Sequence, residues 1–208
     1  MFTVAENQFA EYKIKNSNFK SYIYNAHSII DVKNKINNLT EKYPDSSHIC
    51  YAYRFSSKDN LDLFNNPNYD EFSTDAGEPS GTAGRSILNV IKQNKLVNVT
   101  IIVIRFYGGT KLGIRGLINA YTESAKLTIK DIKLNKWVIS KKIYITYEYK
   151  FEKSINKIID SYDIKVNNSN YSSLIKQMIS IEIKEYETIM KTMLEKTNGT
   201  IQIENCIY

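Results

Sequence analysis

The chain has 208 residues, enough for one large domain or two small ones, of which 42% are hydrophobic and 24% charged. This balance is typical of a globular protein and excludes wholesale disorder. The longest apolar run lies around Val99–Ile104 and is far too short to cross a bilayer. The first residues lack the basic and apolar regions of a secretory signal. We therefore expect a cytoplasmic protein with no membrane partner.

The net charge of +6 is unevenly distributed along the chain. Residues 1–138 contain 18 basic and 13 acidic residues, a net charge of +5, whereas the remainder contains 10 and 9, a net charge of +1. The four arginines all lie in the first part, at Arg54, Arg85, Arg105 and Arg115. Because a positive surface attracts anions, we expect the first part to have an anionic partner.

The two cysteines, Cys50 and Cys206, lie in different halves of the chain, with no Cys-x-x-Cys spacing and no histidine cluster beside them. This pattern predicts neither a zinc site nor a disulfide framework. We interpret them as two buried, reduced thiols, which suits a reducing cytosol. No metal and no cofactor are predicted.

The first part of the chain alternates strand and helix patterns. The predicted elements are, in chain order, one or two strands within residues 4–28, a helix over 30–42, a strand over 48–55, a long mobile loop over 56–74, a helix over 85–96, a strand buried on both faces over 97–107, and a helix over 117–132.

The second part predicts strands over 142–149, 164–171, 174–183 and 200–207, with helices over 151–162 and 186–196. The order β-α-β-β-α-β is the ferredoxin-like pattern, which hosts many functions. The predicted fold class is therefore α+β, with two domains over residues 1–137 and 138–208. A short polar stretch around residues 135–141 marks the boundary.

Seven of the eight glycines lie between Gly77 and Gly116, in two loops that each precede a predicted helix. The first loop spans Asp75–Gly84 and the second spans Gly108–Gly116. Free backbone N–H groups and the helix dipole make such a helix start a natural anion site. We expect the two loops to converge and form one concave, positively charged binding site for a phosphate-bearing ligand. The candidate ligand-binding residues are His48, Asp75, Gly77, Glu78, Ser80, Gly81, Thr82, Gly84, Arg85, Arg105, Tyr107, Gly108, Gly109, Lys111, Gly113 and Arg115.

Other interpretations of these loops stay open. Glycines also serve tight turns, Ser and Thr also cap helices, and neither loop has the P-loop or Gly-x-Gly-x-x-Gly spacing. Asp75 and Glu78 could form a carboxylate pair for acid–base work or metal binding, or only cap and fix this short turn. His48 could act as a base or simply pack within its strand. Ser80 lacks the context of a nucleophile elbow. Because these roles do not assemble into one mechanism, catalysis is the less favoured interpretation.

The run Asp75–Gly84, followed by Arg105–Gly113 and preceded by His48–Arg54, resembles the signature of the YigZ/IMPACT family. The resemblance covers the first domain and implies a βαβ module similar to that of ribosomal proteins and GHMP kinases. It also implies a second domain similar to the last domain of elongation factor G. Where family members commonly carry Gly-x-Gly-Gly, this chain has Gly113-Ile114-Arg115-Gly116.

Eukaryotic members of that family regulate translation, with extra domains that are not in this sequence. The expected function is a non-enzymatic binding or regulatory one, in which the glycine-rich surface engages nucleic acid or the ribosome. The alternative is an enzyme or sensor that binds a nucleotide or phosphorylated small molecule.

Overall fold

The structure, a computed structural model, describes residues 1–61 and 67–206 and has a mixed α+β fold. The chain divides into two compact units, Met1–Trp137 and Val138–Tyr208. Within the described residues, no helix is long and apolar enough to span a membrane.

The first unit is built on a five-stranded antiparallel sheet with the strand order β2-β3-β6-β4-β5. Its elements are β1 (Phe2–Val4), β2 (Gln8–Ile14), β3 (Ser17–Asn25), α1 (Ile29–Lys42), β4 (His48–Leu61), β5 (Pro67–Thr74), α2 (Gly84–Gln93), β6 (Val99–Phe106), α3 (Gly113–Leu127) and β7 (Leu134–Lys136). The short strands β1 and β7 pair with each other.

Helices cover both faces of this sheet. Side chains of β6 alternate between the faces, so Ile101 and Val103 pack with α2 and α3, while Ile102 and Ile104 pack with Leu39 of α1. Seven of the eight residues of β6 are consequently buried. The prediction of a strand buried on both faces is confirmed, and the reason is its central position between two helical layers.

The predicted mobile loop over residues 56–74 is wrong. Strand β4 continues to Leu61 and pairs with β5 in a hairpin, while residues 62–66 lie outside the described part of the chain. Phe72 stacks on Tyr53 with 5.5 Å between ring centroids, and Glu71 pairs with Arg54 at 3.0 Å. Because β5 is an edge strand, it tolerates many polar residues, and their density conceals the hydrophobic alternation by which a strand is predicted.

The second unit follows the predicted order β-α-β-β-α-β. Its elements are β8 (Ser140–Tyr147), α4 (Glu152–Ser161), β9 (Lys165–Tyr171), β10 (Ile175–Glu182), α5 (Tyr186–Lys196) and β11 (Gln202–Asn205). The strands form an antiparallel sheet in the order β11-β8-β10-β9, and alternate residues of β8 and β10 pack against the apolar stripes of α4 and α5. The last strand, predicted over residues 200–207, covers Gln202–Asn205 in the structure. Ile207, the final residue of that prediction, lies outside the described part of the chain.

Candidate functional site

The first glycine loop is organised around the carboxylate of Asp75. Its Oδ2 accepts a hydrogen bond from the N–H of Gly81 at 2.8 Å, and its Oδ1 accepts from the N–H groups of Ala83 and Gly84 at 2.9 Å each. Burial by itself would raise the pKa of Asp75, but the three N–H donors outweigh it and hold the pKa below its usual value. The carboxylate therefore neutralises the positive end of α2 from within the chain.

This arrangement leaves little at the start of α2 for an external anion. The hydroxyl of Thr82 is also occupied, because it donates to the carbonyl of Pro79 at 2.7 Å and the residue is buried. Gly84 lies so close to the backbone of Thr74 that a Cβ there would overlap it at 2.6 Å. Asp75, Gly81, Thr82 and Gly84, predicted as ligand contacts, take part in an internal hydrogen-bond network.

Glu78 links the first loop to the sheet and to α3. Its Oε1 accepts from Nη1 of Arg105 at 2.7 Å and from the hydroxyl of Tyr121 at 2.8 Å. Both members of the ion pair are buried. Arg105 also donates from Nη2 to Ser17 at 3.4 Å, and its Nε has no hydrogen-bond partner among the described residues. Arg105, predicted as a phosphate contact, is thus paired with Glu78 within the chain.

Behind this pair lies a buried thiol, that of Cys50. Its Sγ donates to the carbonyl of Asp75 at 2.9 Å and lies 3.4 Å from the hydroxyl of Tyr121. Burial, together with the nearby carboxylates, raises the pKa of Cys50 to about 12 despite the Tyr121 contact, so the thiol stays protonated and unreactive. Cys206, which we expected to be buried, is only half-buried.

His48 has a defined orientation at the mouth of this network. Its Nδ1 lies 2.9 Å from the carbonyl oxygen of Ala76, which can only accept, so Nδ1 carries a proton. In the neutral ring Nε2 is then the unprotonated nitrogen, and it lies 4.0 Å from Oε1 of Glu78. Gly77 lies next to the ring, because a Cβ at that residue would meet Nδ1 at 3.3 Å.

The second glycine loop differs from the first at its helix. Helix α3 begins after Leu112, whose apolar side chain makes no capping hydrogen bond, and among the described residues no carboxylate plays the part that Asp75 plays at α2. Gly113 has a positive φ of 72°, which lets the backbone turn from the loop into the helix. Gly108, predicted as a ligand contact, instead lies against the backbone of Asn16 in the β2–β3 turn, where a Cβ would overlap the Asn16 carbonyl.

The two loops meet at an open cleft of about 540 Å³. Five of the predicted residues line it, namely His48, Glu78, Arg105, Tyr107 and Lys111, and Gly113 is a sixth. Sequence reasoning missed the remaining lining residues, which are mainly apolar: Ser47, Pro79, Leu112, Ile114 and Leu117.

The remaining predicted residues lie outside the cleft lining. Arg85 and Arg115 are exposed on the first turns of α2 and α3, and Gly77, Ser80 and Gly109 are exposed in the loops. Tyr121, the hydroxyl partner of Glu78, was missed as well. It follows Leu117 by one helical turn, so its spacing marks only a core position, and the contact with Glu78 depends on tertiary structure.

The side chains that line the cleft are suited to binding a ligand. The carboxylates of Asp75 and Glu78 are both engaged in internal hydrogen bonds. The described residues contain no group of three or more His, Cys, Asp or Glu side chains that could hold a metal ion. What the cleft offers a ligand is the uncapped start of α3, the ammonium group of Lys111, the imidazole of His48 and an apolar wall.

Comparison with known proteins identifies relatives over nearly the whole chain. The profile of the Impact N-terminal domain matches residues 15–129, more than half of the sequence. The chain is 27% identical over 203 residues to the IMPACT family member YvyE of Bacillus subtilis, covering 98% of this chain and 89% of that one. It is 26% identical over 195 residues to an IMPACT family member of Haemophilus influenzae, covering 93% and 91%.

Among solved structures, the fold is similar to a crystal structure described as that of a hypothetical protein, with a TM-score of 0.60. The identity is 21%, and the match covers 99% of this chain and 97% of that one.

The hydrogen bonds of Asp75 predict a pH-dependent contribution to stability. We expect Asp75→Asn to lower the free energy of unfolding at pH 7 by about 2 kcal/mol, because it removes a charged acceptor from three N–H groups. Since the pKa is lowered in the folded state, this contribution is present above the unfolded pKa of about 3.9 and is lost as the pH falls through the folded value. The difference between wild type and variant in urea unfolding should therefore shrink on acidification below pH 4. The exposed Asp45→Asn should show neither effect, and a pH-independent difference for Asp75→Asn would contradict this role.

The buried pair of Glu78 and Arg105 predicts a large penalty when one partner is removed. We expect Arg105→Ala to lower the free energy of unfolding by about 3–5 kcal/mol, because it leaves the Glu78 carboxylate buried without its cation. In chemical denaturation, the double variant Glu78→Gln with Arg105→Met should be less destabilised than the sum of its two single variants. The exposed Arg85→Ala should change stability little. Strict additivity would show that the two residues do not depend on each other.

Proposed function

Because this chain belongs to the YigZ/IMPACT family, we propose that it is a non-enzymatic binding protein that engages structured RNA, such as that of the ribosome, through the second glycine loop. In this proposal it acts in the cytoplasm and in the regulation of translation. The family resemblance supports the link to translation. Residues 1–137 would be the Impact N-terminal domain with its βαβ module, and residues 138–208 a ferredoxin-like domain that docks on the partner.

The observation that carries the proposal is the uncapped start of α3 beside Lys111. The first N–H groups of a helix are unpaired within the helix and carry partial positive charge, so they attract phosphate. At α2 the same groups are already occupied by Asp75. At α3 the helix start faces the cleft through Leu112 and Gly113, and Lys111 adds a full charge.

The distribution of cations favours an extended anion over an isolated phosphate. Because Arg105 is paired with Glu78, it adds little net charge to the cleft. Arg85 and Arg115 are exposed on the first turns of α2 and α3, outside the cleft lining. A ligand that uses Lys111 together with these arginines must reach beyond the cleft, as a nucleic-acid backbone does. Such binding is dominated by phosphate contacts and weakens with salt.

A second candidate function is favoured by the shape of the cleft. Its volume of about 540 Å³ lies within the range of small-molecule pockets, and Leu112, Ile114 and Leu117 form an apolar wall. A nucleotide or phosphorylated small molecule could place its phosphate at the start of α3 and its apolar part on that wall. The protein would then act as a sensor, or as an enzyme in which His48 contributes the free Nε2.

Electrophoretic mobility shift with a structured RNA hairpin tests the first function. We expect wild type to retard the hairpin at 50 mM salt and much less at 200 mM salt. Lys111→Ala should weaken binding to different hairpins by a similar factor and reduce the slope of log K against log salt by about 0.9, because one phosphate contact is lost. Lys126→Ala is the matched control, since Lys126 is exposed at the other end of the same helix and its removal changes the charge equally.

The same variants separate the two functions. Absence of any shift at 50 mM salt would rule out RNA binding. In a thermal-shift screen with nucleotides, a stabilisation of wild type that is lost in Lys111→Ala but kept in Lys126→Ala would support the small-molecule function instead.

A further inference from the structure

Aromatic side chains form a connected group on the α1 side of the first sheet. Tyr22 lies at its centre, with ring centroids 4.9 Å from Phe9, 6.0 Å from Tyr24 and 6.4 Å from Tyr43. The rings of Tyr22 and Tyr24 are nearly parallel, with an interplanar angle of 4°. Phe106 extends the group from Tyr43 at 5.9 Å. We call these five residues the aromatic platform.

Three lysines lie over these rings. The ammonium group of Lys20 lies 4.8 Å from the ring centroid of Tyr43 and 5.6 Å from that of Phe106. Lys35 lies 5.2 Å from the ring of Tyr24, and Lys42 lies 5.7 Å from that of Tyr22. The carboxylate of Glu11 lies on the same face, where it accepts a hydrogen bond from Asn18 at 2.6 Å. The local charge is therefore positive.

The platform is only partly covered by the protein itself. Tyr22, Tyr24, Tyr43 and Phe106 are half-buried, because they pack against the cluster that Leu39 of α1 forms with Ile102 and Ile104 of β6. Phe9, on the edge strand β2, is 48% exposed. The exposed ring of Phe9 thus adjoins half-buried rings that carry lysines, a combination that attracts a ligand with both flat apolar groups and negative charge.

We propose that the aromatic platform is a binding surface for single-stranded RNA, separate from the cleft. Unpaired bases stack on aromatic rings displayed by a β-sheet, and lysines beside the rings neutralise the phosphates between the bases. Because side chains alternate along β6, Phe106 faces the platform while Arg105 and Tyr107 face the cleft side. The inference rests on the ring and lysine geometry and does not depend on the function proposed for the cleft.

Fluorescence anisotropy with a labelled, unstructured ten-nucleotide RNA tests the platform. Phe9→Ala should weaken binding about tenfold, as expected for the loss of one base-stacking contact. Phe72→Ala is the matched control, because Phe72 is 43% exposed on the opposite edge strand of the same sheet, and its substitution should leave affinity unchanged. Lys42→Gln should lower the slope of log K against log salt by about 0.7, the value for one phosphate contact on a single strand. Circular dichroism and thermal unfolding establish that each variant is folded.

Each alternative result has a defined meaning. Equal affinities for wild type, Phe9→Ala and Lys42→Gln would overturn the proposal, as would equally tight binding of an RNA duplex of the same length, whose bases cannot stack on the rings. Binding of vesicles rich in phosphatidylserine that depends on Phe9, without binding of the RNA, would identify a lipid surface as the occupant and also overturn it. If Lys111→Ala abolishes hairpin binding but leaves the ten-nucleotide RNA bound, the platform proposal stands on its own.

Discussion

The carboxylate of Glu78 holds together the elements that form the cleft. It comes from the first glycine loop and accepts hydrogen bonds from Arg105 at the end of β6 and from Tyr121 in α3. All three residues are buried. Removing one partner of a buried ion pair is strongly destabilising, because the other charge is left buried and unpaired. This one interaction therefore fixes the position of the first loop relative to the strand and helix that flank the second loop.

The two glycine loops look alike in sequence but differ in what they leave unpaired. The first supplies its own anion, Asp75, to the start of α2, and Glu78 from the same loop neutralises Arg105. The second supplies no carboxylate to the start of α3 within the described chain, and Lys111 stands beside it. We therefore expect an external phosphate at the start of α3 and not at that of α2. Beside it, Leu112 and Leu117 form the apolar wall of the cleft.

The sequence was sufficient to predict most helices and strands, because buried strands and amphipathic helices leave local hydrophobic patterns. It also predicted that the two glycine loops lie close together. The hairpin of β4 and β5 was missed because an edge strand with many polar residues lacks such a pattern. Capping of the turn by Asp75 was one of several interpretations that the sequence left open, because Asp75 lies eight residues before Ala83, outside the short spacing of an ordinary helix cap. The pairing of Glu78 with Arg105 joins residues 27 positions apart, a loop residue and a strand residue, and only the tertiary structure reveals it.

The central claim is that the start of α3, not that of α2, is open to an anion. Anomalous diffraction from crystals soaked in selenate measures this directly, because selenium marks a phosphate-like anion. The account predicts a selenate within hydrogen-bonding distance of the first N–H groups of α3 and the ammonium group of Lys111, with Asp75 still bound to Ala83 and Gly84. A selenate at the start of α2 that displaces Asp75, with none at α3, would contradict it.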